Sequence, residues 1–195
     1  MRRNNRMAKT QITTGRVRFS FVNIFTPKEN QSGQLKYSTT LLIPKTDKKT
    51  LDKIAAAIDE AKNIYKQKNP GKKLPTNLST TLHDGDGERP SGEDFGPECK
   101  GHYVMTVNSN NKPVIVDATK APITEPEEVY SGCYGRAIIN FYIYDTAGNK
   151  GVTAGLNGIM KLGDGEPLAG GHVTDADWDD DWDDTEADAL AGLLD

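Results

Sequence analysis

Arg136, Tyr142 and Tyr144 all fall at even positions of GRAIINFYIYD, the stretch from Gly135 to Asp145. In an extended strand, side chains two residues apart share a face and stand about 7 Å apart. One surface therefore carries a guanidinium and two phenols, while Ala137, Ile139, Phe141 and Ile143 line the other. Rings in file beside positive charge suit a single-stranded nucleic acid, because each stacked base contributes about 1–3 kcal/mol and cations track the phosphates. Arg16 and Arg18, which alternate with Val17, Phe19 and Phe21 in TTGRVRFSF, and Lys36 in LKYSTTLLIP supply further outward bases. Tyr37 is a further candidate platform, although alternation sets it with Leu35, Leu41 and Ile43 on the apolar face. The plain alternative is that tyrosines are good strand formers that pack against a loop or a second subunit.

The other chemistry-bearing patterns are weaker. HDGDGE, His83 to Glu88, and DGE, Asp164 to Glu166, bring acids together. They lack the twelve-residue calcium frame, and Asp-Gly is ordinary turn vocabulary. A magnesium-dependent nuclease built on Asp84, Asp86 and Glu88 is the residual metal reading. His83, His102 and His172 share no motif spacing, Ser109 and Ser131 sit in no nucleophile elbow, and there is no phosphate loop. Cys99 and Cys133 lack metal-site spacing and read as reduced thiols. The expectation is a protein with no catalytic residues, no metal and no cofactor.

Charge is distributed unevenly. Ten of the 28 acids lie from Val173 onward, where there is no lysine or arginine, so the preceding residues carry 18 acids against all 24 bases. A basic body with an acidic tail is the asymmetry of a polyanion binder that carries its own competitor. The tail, DADWDDDWDDTEADALAGLLD, also holds both tryptophans, Trp178 and Trp182, and ends near Leu193 and Leu194. Its like charges and sparse apolar content predict disorder over 173–195. Carboxylates stand in for phosphates and indoles for bases, so the tail is expected to compete for the groove. When displaced it frees its tryptophans and leucines for a partner. Residues 1–11, with Arg2, Arg3, Arg6 and Lys9, read as a flexible basic arm.

The elements that must position these residues follow from periodicity. Strands are expected at TTGRVRFSF and LKYSTTLLIP, joined by a hairpin loop at NIFTPKENQSGQ. A helix over about 47–68 follows, capped by Thr46 or Asp47, with Leu51, Ile54, Ala55, Ile58, Ala61 and Tyr65 on one side. Lys72 to Lys100 is a long polar loop with room for one short strand, of the kind that is usually functional or mobile. Two hairpins close the body, HYVMTVNSNNKPVIVD turning at Asn110-Asn111 and a longer one turning at Ala147 to Lys150. Several antiparallel strands around one helix indicate a mainly β, OB-like barrel over 12–172 rather than a parallel α/β fold. With no apolar run long enough to span a bilayer and no secretory leader, the expected place of action is the cytoplasm.

The segments GRVRFSFVNIF, KYSTTLLIPKTD, LHDGDGE, GHYVMTVNSNNKPVIVD and YSGCYGRAIINFYIYDTAGNKGVTAGLNGIMKLGDGEPLAGG, with the acidic end, resemble the bacteriophage OB-fold single-stranded DNA-binding proteins, formerly a domain of unknown function. The resemblance spans Gly15 to Gly171, and the podovirus replication proteins of this type share the acidic-tail plan. It implies sequence-independent binding of single-stranded DNA in phage replication, recombination or repair, in the cytoplasm of the infected bacterium. The implied partners are single-stranded DNA, and replication or recombination proteins met through the tail. Duplex DNA is a further ligand when the tail is displaced, and association between copies is left open. The two tail tryptophans depart from the simpler pattern of acids ending in an aromatic. The alternative function is a protein-interaction module acting through the tail, with the barrel as scaffold.

Overall fold

The computed structural model describes residues 9–146 and 149–168. The elements run β1 (Gln11–Thr13), β2 (Val17–Glu29), β3 (Leu35–Pro44), α1 (Lys48–Lys68), β4 (Ser79–Thr80), β5 (Leu82–Asp84), β6 (His102–Ser109), β7 (Val114–Val116), β8 (Tyr134–Thr146) and β9 (Asn149–Gly163). Five of them make a ring: β2 pairs β3, β3 pairs β6, β6 meets β9, β9 pairs β8, and β8 returns to β2. Four joints are antiparallel; the seam between β6 and β9 is parallel and rests on a single pair, Asn108 with Gly155.

Alternation fills the ring. Val17 and Phe19 from β2, Leu41 and Ile43 from β3, Met105 and Val107 from β6, Ala137, Ile139 and Phe141 from β8, and Leu156 from β9 are all buried in one cluster. Gly135 lies so close to the Phe19 ring that a Cβ would stand 2.6 Å from it, so this crossing of β8 over β2 excludes any side chain. Helix α1 closes one side with Ile54, Ala57, Ala61 and Tyr65, a run at i, i+3, i+7 and i+11. Ala57 takes the buried place expected for Ala55, which is exposed. Asp47 caps the helix by accepting the Thr50 amide at 3.1 Å, and the Thr50 hydroxyl in turn accepts the Gly15 amide at 2.7 Å. The cap thereby ties the helix to the turn before β2.

Three expectations change. The residues from His102 to Asp117 do not form a hairpin, because β7 pairs in parallel with β9 instead of folding back on β6. The stretch read as a loop after Phe21 continues β2 as far as Glu29, through two register shifts against β3. The long loop holds β4 on β9 and β5 on β6. β1 begins at Gln11, the last residue assigned to the basic arm; 1–8 and the tail from 169 onward lie outside the described residues. Among the described residues no helix is long and apolar enough to cross a membrane.

Candidate nucleic-acid interface

The outer surface of β2, β3 and β6 carries an open groove of about 810 Å³. Its floor comes from facing pairs. Thr40 lies opposite Thr106, their hydroxyls 3.1 Å apart, and Leu42 lies opposite Val104. Thr81 and His83 extend the floor, with Thr81 donating to the Thr106 carbonyl at 2.8 Å and His83 paired with Val104. One wall is the turn from Arg89 to Phe95, closed by the Arg89 amide on Glu93 and the Gly92 amide on Arg89. The Arg89 guanidinium lies 5.3 Å from the centre of the Phe95 ring, and its Nε is buried with no hydrogen-bond partner.

Phe21 stands on the opposite side. It occupies the first register shift of β2, where three steps from Ser20 to Asn23 face two steps from Thr40 to Ser38. Its φ is +48°, a left-handed conformation that bulky side chains rarely adopt. The bulge turns the ring out of the apolar row expected from alternation with Val17 and Phe19, and leaves it 62% exposed at the groove. At the far end of this face Lys28 lies directly opposite Lys36. Like charges in register repel, so this end favours an anion; Lys36 also donates to Asn110 Oδ1.

The residues singled out in the sequence are divided by the fold. Lys36 belongs to the grooved face. Tyr37 shares the inward row of Thr39, Leu41 and Ile43. Arg18 donates Nε to the Gly132 carbonyl at 3.0 Å and a terminal nitrogen to the Glu166 carbonyl at 2.6 Å, while Arg136 Nε donates to the Thr14 carbonyl at 2.9 Å. These two arginines are backbone ties. Arg16 lies over the Tyr134 ring at 4.6 Å. Tyr142 is 45% exposed on β8, in another sector of the ring, and Tyr144 lies flat against Gly151, where a Cβ would meet its ring at 2.5 Å. Trp178, Trp182, Leu193 and Leu194 lie outside the described residues.

Sequence reasoning missed Phe21, Phe95 and Arg89. Phe21 was hidden because period-two counting fails at a bulge. Phe95 and Arg89 sit in the long polar segment, where only the presence of an aromatic and an arginine among turn residues marked them. The HDGDGE segment is a turn: Asp84 accepts the Asp86 amide at 2.9 Å, and Asp86 accepts the Gly101 amide at 3.0 Å. Lys45 Nζ bridges both carboxylates at 2.5 and 2.7 Å. Its hydrogen bonds hold both acids below the usual carboxylate range, and they in turn raise Lys45 above the ordinary lysine value. Among the described residues no group of three or more His, Cys, Asp or Glu is placed to hold a metal ion.

Taking the ring strands in chain order as first to fifth, the circuit is first, second, third, fifth, fourth and back to first. This is the OB architecture, and the groove lies on its second and third strands, the face such folds use for extended polymers. A family model described as the ssDNA-binding protein of Enterobacter phage Enc34 matches residues 10–190, and the chain belongs to that family of phage single-stranded DNA-binding proteins. Protein p50 of Acyrthosiphon pisum secondary endosymbiont phage 1 is 30% identical over 191 residues, 93% of this chain and 99% of that one. The solved structure of the bacteriophage Enc34 single-stranded DNA-binding protein in complex with ssDNA matches with a TM-score of 0.65 at 26% identity, covering 82% of this chain and 90% of that chain. The single-stranded DNA-binding protein encoded by bacteriophage T7 shares the fold, with a TM-score of 0.55 at 17% identity over 89% of this chain and 95% of that one.

Proposed function

We propose that this protein binds single-stranded DNA without sequence preference in the groove between Phe21 and the Arg89–Phe95 wall, protecting the strand during phage replication, recombination or repair. The observation that carries the reading is Phe21, an exposed phenyl held at φ +48° on the rim of an open groove. Strain of this kind costs about 1–3 kcal/mol and persists where the ring it aims has a use. Bases stack on Phe21 and Phe95; Arg89, Lys28 and Lys36 meet phosphates. The threonine hydroxyls of the floor are engaged within the protein, Thr40 with Thr106 and Thr81 with the Thr106 carbonyl, which suits sequence-independent binding, since every base has a face to stack. No step in this reading is catalytic.

The tail is read as a regulator of the same groove. Leu168, at the end of the described chain, packs on Leu42, Cys99 and Val104, the apolar cluster beneath the groove. The chain beyond this point carries ten acids, and the reading is that they compete in the groove with weakly held polyanions, duplex DNA included. Single-stranded DNA displaces it and frees Trp178 and Trp182 for replication or recombination proteins.

The deciding experiment is anisotropy of a labelled oligo(dT) with the wild-type chain, Phe21→Ala and Phe95→Ala across a salt series. Weaker binding by both variants, with a steep fall of affinity with salt in the wild type, supports the groove. Unchanged affinity in both variants removes it as the site.

A further inference from the structure

A second basic surface lies around the end of α1, next to the exposed tyrosine of β8. Between Glu60 and Asp84 the sequence contains no acid and five lysines, Lys62, Lys66, Lys68, Lys72 and Lys73. Lys66, Lys68 and Lys73 are exposed, and among the described residues none of them meets a carboxylate at ion-pair distance. The acid that faces this surface from β8, Asp145, is already engaged: it accepts the Tyr65 hydroxyl at 2.5 Å and pairs with Lys72 at 3.3 Å and Lys150 at 4.0 Å. Lys68 lines an open cavity of about 500 Å³ together with Ile64, Tyr65 and Tyr142.

This surface is joined to the groove by a short piece of chain. Ser79, at the start of β4, lies 3.3 Å from the Tyr144 hydroxyl through its Oγ, and two residues later Thr81 lines the groove floor. Two residues of extended chain span about 7 Å, a step that a flexible single strand crosses.

We propose that the single-stranded DNA path continues out of the groove past Ser79 and Thr81 onto this surface, with Tyr142 as a further stacking ring and Lys66, Lys68 and Lys73 as phosphate contacts. The proposal rests on the groove reading above and extends it: a short strand occupies the groove alone, and a longer one engages both. The lysines place positive charge where the strand's phosphates pass, and the cavity beside Tyr142 gives room for a base. Single-stranded DNA is the occupant favoured, because the surface is continuous with the groove through Ser79 and Thr81.

The test compares oligo(dT) of about 6 and about 16 nucleotides, near the ends of the range that one OB fold covers, on the full chain. The variants are Lys66→Ala/Lys68→Ala/Lys73→Ala, Tyr142→Ala and Phe21→Ala. The triple lysine variant is expected to bind the long strand about tenfold or more weakly, with its log–log salt slope reduced by about 2, at about 0.7 per lost phosphate contact on a single strand. Its affinity for the short strand stays within twofold of wild type. Tyr142→Ala follows the same length dependence, and Phe21→Ala weakens both lengths. Wild-type binding of the long strand by the triple variant, while Phe21→Ala still weakens both lengths, overturns the extension and leaves the groove standing. Equal losses on both lengths in the triple variant, with none in Phe21→Ala, make the lysine surface the primary site and overturn both readings. Loss of binding of a peptide of residues 175–195 by the triple variant, with oligo(dT) affinity unchanged, assigns the lysines to the tail and also overturns the extension.

Discussion

Arg89 lies over the face of Phe95 at 5.3 Å while its buried Nε has no hydrogen-bond partner. A buried donor without a partner costs about 1–3 kcal/mol, and here it belongs to a guanidinium already oriented by an aromatic ring. On the proposed reading, the rest of the guanidinium meets a phosphate of the bound strand.

Arg89→Ala should therefore weaken oligo(dT) binding and reduce the magnitude of the salt slope by about 0.7, the share of one phosphate contact on a single strand. Stability should change little, because the variant removes an unsatisfied donor along with the stacked cation. Titrations at four salt concentrations give the slope; an unchanged slope would take Arg89 out of the phosphate set.

Phe21→Gly separates strain from stacking. Glycine adopts φ +48° without penalty, so the urea midpoint should hold or rise, by the equivalent of about 1 kcal/mol. Affinity for single-stranded DNA should fall about fivefold or more, as expected when one ring that stacks a base is lost. A variant that loses stability and keeps its affinity would make Phe21 a packing residue.

Arg18→Ala and Arg136→Ala should behave in the opposite way. Each removes charged hydrogen bonds to backbone carbonyls that join distant segments, Arg18 to Gly132 and Glu166, Arg136 to Thr14. A loss of about 1–3 kcal/mol of stability is expected for each, with oligo(dT) affinity at low temperature close to wild type. A selective loss of affinity at unchanged stability would return them to the DNA-binding set.

The Lys45 bridge gives a pH dependence of defined sign. Asp84 and Asp86 have folded values below their ordinary 3.8, first because Lys45 donates to each carboxylate. Their contribution is thus in place above about pH 4 and is lost as pH falls through the lowered values. The thermal midpoint of the wild type should drop between about pH 4 and pH 2 more steeply than that of Lys45→Met, which keeps the other lowered carboxylates, Asp117, Asp145 and Asp164, but lacks this bridge. Parallel curves would show that the bridge contributes no stability.

A chain ending at His172 should bind duplex DNA more tightly than the full chain at low salt, and the difference should shrink as salt screens the tail's charge over a Debye length of about 10 Å at 0.1 M. Fluorescence anisotropy with a labelled duplex measures it. Equal affinities at every salt concentration would remove the tail as a competitor for the groove.

Local chemistry made much of this protein legible in its sequence. Period-two alternation marked the inward rows of β3 and β8, the 3.6-residue period and a cap at Thr46 or Asp47 placed a helix over about 47–68, and the separation of ten tail acids from a basic body pointed to a polyanion ligand. The first two depend only on neighbours a few residues away, and the third on composition alone. The tertiary structure decided what depends on distant chain. A bulge against β3 turned Phe21 outward, the ring closure spent Arg18 and Arg136 on carbonyls more than a hundred residues away, and the placement of β5 on β6 brought the Arg89–Phe95 turn to the groove. Alternation tells which side chains share a face of one strand. Only the pairing of strands tells which of those faces become one surface.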